Sequence, residues 1–126
     1  MASLSPQAQS CRILVVEDSF LMAEALCDLL VEHGCEIIGP AARLSPALDL
    51  AADRAIDGAF LDINLAGEHC FPLATLLRAK GVPFVFLTGY GEHGVIPATF
   101  GGVPLASKPF DPQEIVALLH RHFGRT

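Results

Sequence analysis

Five positions in this 126-residue chain put polar side chains at the ends of apolar runs. RILVV (12–16) leads into Glu17 and Asp18, GAFLD (58–62) ends on Asp62, PFVFL (83–87) leads into Thr88, and VPLAS (103–107) leads into Lys108. Three carboxylates gathered at one place repel each other, and without compensation one would take up a proton. A divalent cation removes that conflict. Mg²⁺ favours a few carboxylates, a carbonyl and several waters, and it bridges readily to phosphoryl oxygens. Lys108 adds a mobile positive charge opposite such a metal, and Thr88 offers a hydroxyl to a further oxygen. Together they form a stabilising cage around one Asp for a phosphoryl group in transfer, a step catalysed almost entirely by positioning and charge neutralisation. Asp62 is then the nucleophile, becoming an acyl phosphate.

Such a centre needs elements that bring the five positions to one edge. The four apolar runs have the length and composition of buried strands, and a further strand is expected over 35–39. Helices are expected between them. The first, about 20–33, is capped by Asp18 or Ser19, carries Met22, Leu26, Leu29 and Leu30 on its apolar face, and stops at Gly34. Ser45-Pro46 supplies an N-cap and a first-turn proline for the second, which runs to about Arg54. The third covers about 69–79. Asp111-Pro112-Gln113-Glu114 starts the last, whose buried face is Ile115, Val116, Leu119 and Phe123. The interval 90–102 holds four glycines and a proline, so at most one or two helical turns are expected there. Strands alternating with helices make an open parallel α/β sheet, and ligands bind beyond the carboxyl ends of its strands where strand order reverses.

Composition supports this frame. Hydrophobic residues make up 52% of the chain, which a sheet buried on both faces explains and which excludes disorder. The net charge of −6 argues against nucleic acid or an anionic membrane as partner. No apolar run is long enough for a membrane helix, and the start lacks the pattern of a signal peptide, so a cytoplasmic location is expected. Residues 1–10 read as a frayed leader and 11–124 as one domain. Cys11, Cys27, Cys35 and Cys70 have no metal-ligand spacing and read as small reduced core residues. Glu24, Asp28 and Glu32 form an acidic helix stripe, read as a solvated face. The five histidines, His69 among them, read as ordinary surface or partly buried residues.

The set RILVVEDS (12–19), AFLDINLAG (59–67), FLTGYG (86–91) and VPLASKPF (103–110) resembles the receiver domain of bacterial two-component response regulators. The resemblance covers 12–123, with separations of 44, 26 and 20 residues between Asp18, Asp62, Thr88 and Lys108. It implies a flavodoxin-like three-layer sandwich, strand order 2-1-3-4-5, with the fourth helix short or degenerate. Asp62 matches the phosphoacceptor. Asp18 matches the acid that binds Mg²⁺ directly, Glu17 the one that acts through water, and Asn64 the residue whose backbone carbonyl completes the metal shell. Thr88 matches the switch hydroxyl and Lys108 the family lysine, whose bond to Pro109 is normally cis.

Two departures stand out. The usual aromatic switch position, three before the lysine, is Leu105. The stretch PFVFLTGYG also resembles a single-domain subgroup with a Phe-Ala-Thr-Gly-Tyr-like motif, making Tyr90 a further switch candidate. A histidine kinase or histidine phosphotransfer protein is the implied donor. The sequence stops just past the last helix, so output by protein contact, or service as a phosphate sink, is expected, with the chain monomeric or dimerising on phosphorylation. It would catalyse its own phosphorylation and dephosphorylation rather than turn over an external substrate. The rival reading is a pseudo-receiver, an interaction module that is never phosphorylated. A phosphate-ester hydrolase would usually carry a second acid at the position of Asn64.

Overall fold

Strands β1 (Cys11–Val16), β3 (Gly58–Asp62) and β6 (Phe84–Thr88) are buried along nearly their whole length. Parallel strands must be apolar on both sides when helices cover both faces of their sheet. With β2 (Cys35–Ala41) and β7 (Leu105–Ser107) they form a five-stranded parallel sheet ordered β2-β1-β3-β6-β7. Setting aside a small hairpin, β4 (Asn64–Leu65) with β5 (Glu68–His69), this is the expected 2-1-3-4-5 order of the flavodoxin-like fold. The computed structural model describes residues 11–123, and the leader expected over 1–10 lies outside the described residues.

Alternation along the strands divides the core in two. Leu14, Val16, Ala59, Leu61 and Phe86 face α2 (Leu44–Asp53) and α3 (Phe71–Ala79), in a layer that includes Ala47, Ala51, Leu73 and Leu77. Ile13, Val15, Phe60, Val85 and Leu87 face α1 (Phe20–Glu32) and α4 (Pro112–His122), meeting Leu26, Leu30, Ile115 and Leu119. Three layers result, with the reversal of strand order at β1 and β3.

The helix ends follow local chemistry. Ser19 Oγ accepts from the Met22 N–H at 3.4 Å, and Asp111 Oδ1 accepts from the Gln113 N–H at 3.0 Å. His120, Arg121 and His122 occupy the last turn of α4, where the helix dipole favours positive charge.

Several boundaries differ from expectation. The N-cap of α2 is Arg43 rather than Ser45, and no side chain caps it. Ser45 and Pro46 therefore fall in the first turn, where a proline lacks only an N–H that has no partner inside the helix. Strand β2 runs on through Pro40 to Ala41, an extension an edge strand tolerates. Strand β7 starts at Leu105 and α3 at Phe71, the latter because the hairpin takes up 64–69. On α1 the fully buried positions are Ala23, Leu26 and Leu30, while Met22 and Leu29 are half-buried. On α4, Leu118 is buried and Val116 half-buried. Between β6 and β7 the chain makes two single 3₁₀ turns, His93–Val95 and Ala98–Phe100, in place of a helix. Phe100 fixes this segment by packing among Phe71, Phe84 and Phe86. No helix among the described residues is long and apolar enough to cross a membrane.

Candidate functional site

Four of the five parallel strands, β1, β3, β6 and β7, deliver the parts of the centre at their carboxyl ends. The end of β3 places Asp62 with no solvent exposure, and the end of β6 buries Thr88. Beyond β1, Glu17 is buried while Asp18 is exposed. Carboxylate oxygens of Glu17, Asp18 and Asp62 all lie within 4.8 Å of one another. From the end of β7, Lys108 reaches in, its Nζ 2.9 Å from Asp62 Oδ1 and 3.8 Å from Glu17 Oε1. The peptide bond between Lys108 and Pro109 is cis.

Backbone donors hold two of the acids in place. The Ser19 N–H donates to Glu17 Oε2 at 3.0 Å, and the Ala66 N–H donates to Asp18 Oδ2 at 3.2 Å. Ala66 has φ of 54°, left-handed backbone that a non-glycine residue adopts only when its surroundings hold it there. The hairpin supplies that restraint, with Asn64 Oδ1 accepting from the Gly67 N–H at 2.9 Å. Asn64 thus shapes the loop beside the acids. His69, paired with Asn64 across the hairpin, is exposed and leans on Phe71.

The electrostatics of the centre are unbalanced. Burial pushes the Glu17 carboxyl up to about 7, with Asp62 adding to the rise and Ser19 and Lys108 opposing it. Asp62 is also raised, by burial first, despite its bond to Lys108. Burial acts on Asp18 in the same sense, but the neighbouring Asp62 and Glu17 carboxyls, the Ala66 amide and the charge of Lys108 hold it below the usual range. Lys108 is raised, because Asp62, Glu17 and Glu92 outweigh the cost of its burial. Among the described residues, the buried oxygens Glu17 Oε1, Asp62 Oδ2 and Thr88 Oγ1 have no hydrogen-bond partner. Unpaired buried acceptors are costly, and two of these belong to the acid cluster. One ammonium against three carboxylates therefore fits a site made to receive a cation, and the all-oxygen donor set suits a hard one.

The other switch candidates stand apart from this centre. Tyr90 is fully exposed, and Leu105 is half-buried at the start of β7. Two further residues border the centre, and of these the sequence reading singled out only Cys70, as a core cysteine. Cys70 is buried at the head of α3, and burial together with the Asp62 charge pushes its thiol up to about 12. Glu92 accepts from the Gly89 N–H at 2.6 Å, a bond that only the spacing within a glycine-rich turn could have hinted at.

A doubly wound parallel sheet with acids, a hydroxyl and a lysine converging on its carboxyl edge defines a flavodoxin-like domain organised around one charged centre. The chain belongs to the response regulator receiver domain family, whose sequence model matches residues 13–120. It is 31% identical to sensory transduction protein LytT of Bacillus subtilis over 114 residues, covering 88% of this chain and 47% of LytT. The chain spans about half the length of the curated relatives it matches. The solution structure of SdrG from Sphingomonas melonis is 35% identical with a TM-score of 0.78, covering 89% of this chain and 95% of SdrG. SdrG in its BeF3-activated conformation is 34% identical, with a TM-score of 0.72 and coverage of 86% and 92%.

Proposed function

We propose that this chain is a phosphoacceptor receiver that takes a phosphoryl group on Asp62 from the phosphohistidine of a histidine kinase or phosphotransfer protein. The observation that carries this reading is the state of Asp62. Its carboxylate is fully buried at the carboxyl edge, with one oxygen on Lys108 and the other unpartnered beside two further acids. A surface acid in a turn would have neither feature.

Glu17, Asp18 and Asp62, with the Asn64 backbone carbonyl, would hold Mg²⁺, which when bound neutralises charge on phosphoryl oxygens. The residues of the chain do the rest. An Asp62 oxygen attacks phosphorus, the P–N bond to the donor histidine breaks, and the electron pair leaves with the imidazole, which takes up a proton. The Lys108 ammonium stays beside Asp62 and stabilises the charge accumulating on the transferred group. The Thr88 hydroxyl, with no other partner, is free to donate to a phosphoryl oxygen. Hydrolysis of the acyl phosphate by water resets the site, so the chain is a signalling module rather than a turnover enzyme. Output passes through contact with a partner protein. A cytoplasmic location fits a donor of this kind.

Incubation with Mg²⁺ and acetyl phosphate tests the proposal by intact mass. The wild type should gain one phosphoryl group, and Asp62→Asn should gain none. Absence of incorporation in both would favour the non-phosphorylated interaction module instead. The BeF3-activated state of the related SdrG supports beryllofluoride as a second, non-hydrolysing probe.

A further inference from the structure

Glu92 lies four residues past Thr88, and nothing in the phosphoacceptor reading uses it. Its Oε1 accepts from the Gly89 N–H at 2.6 Å, and its own N–H donates to the Gly89 carbonyl at 3.2 Å. The 89–92 turn is therefore closed twice, once by backbone and once by a charge-assisted side-chain bond. A Cβ built on Gly89 would lie 3.4 Å from Glu92 Oε1 and 3.7 Å from Lys108 Cε, so the Glu92 carboxylate and the Lys108 stem flank the same backbone position. The Glu92 charge also helps to hold the Lys108 ammonium above its ordinary range. Glu92 is thus an acid at the pocket that does not belong to the Glu17, Asp18 and Asp62 cluster.

We infer that Glu92 is a positioning residue, an internal anion that keeps the pocket closed around Lys108 and is displaced when Asp62 carries a phosphoryl group. The inference rests on the phosphoacceptor reading. Asp62 has no solvent exposure, so whatever covers it must move before a donor can reach it. A phosphoryl group then brings about two negative charges and three acceptor oxygens to the side of Lys108. Two anions compete for one ammonium and for the N–H next to Thr88. The phosphoryl group is covalently fixed, whereas Glu92 is held by one hydrogen bond in a turn that carries Gly91 and faces solvent. Glu92 is the anion that leaves.

Its departure unlocks the side-chain closure of the turn that bears Tyr90. That links the chemistry at Asp62 to a fully exposed aromatic without needing an aromatic at position 105. The same acid opposes the phosphorylated state by repulsion, so its charge sets the position of the equilibrium.

The test is titration of the full chain with beryllofluoride in Mg²⁺, followed by the Gly89 amide resonance, for wild type, Glu92→Gln and Glu92→Ala. Glu92→Gln keeps an acceptor for Gly89 and loses only the charge. It should bind roughly tenfold more tightly at low salt, and the advantage should shrink as salt rises. Glu92→Ala should also bind more tightly than wild type. A role confined to bracing the turn gives the opposite order: Glu92→Gln like wild type and Glu92→Ala weaker. Wild-type binding with an unchanged or weakened Glu92→Gln overturns this inference alone. Failure of the wild type to bind overturns the phosphoacceptor reading and this inference with it.

Discussion

The Lys108 N–H donates to the Thr88 carbonyl at 2.8 Å, which ties the strand end carrying the hydroxyl to the strand end carrying the ammonium. The Lys108 side chain therefore starts from a fixed point on the sheet edge. From there it spans to Asp62 on β3 and to Glu17 beyond β1, so one cation braces three strand ends. One cation is too few for three acids, and the consequences can be measured.

The first is in pH dependence without metal. Glu17 is raised from 4.5 to about 7, and Asp62 is raised as well. Between those values the folded state holds protons that the unfolded chain has released, so stability falls as pH rises. Metal-free protein should lose on the order of 3 kcal/mol between pH 4.5 and pH 7.5, read as a falling melting temperature. Asp18, lowered, acts below this window, and Lys108, raised, acts above it. Mg²⁺ should flatten the curve at its alkaline end. A melting temperature that climbs from pH 5 to 7.5 without metal would contradict this account of the centre.

Asp62→Asn removes one of the crowded acids while keeping its volume and an acceptor for Lys108. The metal-free variant should be more stable than wild type at pH 7.5, by about 1 kcal/mol in urea unfolding. The stabilisation by Mg²⁺ should shrink at the same time. Phosphoryl acceptance and stability should thus move in opposite directions at this residue, as expected where a site stores unfavourable charge.

Lys108→Met does the reverse. It leaves Asp62 and Glu17 buried without their counter-charge, which costs about 3 kcal/mol at pH 7.5. At pH 5 both acids can take up protons, so the loss should be much smaller there. Urea midpoints at the two pH values check this. Equal losses at both would mean that Lys108 stabilises through its packing rather than its charge.

The edge of the sheet was readable in the sequence for a physical reason. A strand covered on both faces admits no polar residue, so the first acid, hydroxyl or lysine after each apolar run marks where the strand leaves the core. Glu17, Asp62 and Thr88 announce themselves in this way, whereas Lys108 follows Ser107, an exposed residue of the edge strand β7. The hairpin at 64–69 does not, because strands of two residues carry no periodicity. Neither the left-handed Ala66 nor the N-cap of α2 at Arg43 follows from residue type: alanine has no preference for that conformation, and arginine is no capping residue. Glu92 was hidden because its role depends on which way a glycine-rich turn folds.

Packing at the opposite end of the domain provides a control that leaves the charged centre untouched. Gly58 opens β3, and a Cβ added to it would sit 2.7 Å from the Phe123 ring. That ring closes α4 and meets Phe60 edge-on at 5.3 Å, so Phe123 is wedged between the strand backbone and a core aromatic. Real Cβ contacts do not approach so closely, and the ring has little room to retreat. Gly58→Ala should cost about 1–3 kcal/mol through overpacking. Combining it with Phe123→Leu tests the cause, because a smaller side chain makes room for the methyl group. The double variant should be less destabilised than the sum of the singles by more than about 0.5 kcal/mol. Additive losses would place the effect in the backbone of Gly58 rather than in its contact with Phe123. Beryllofluoride binding at Asp62, at the far end of β3, should remain at the wild-type level in Gly58→Ala as long as the domain is folded.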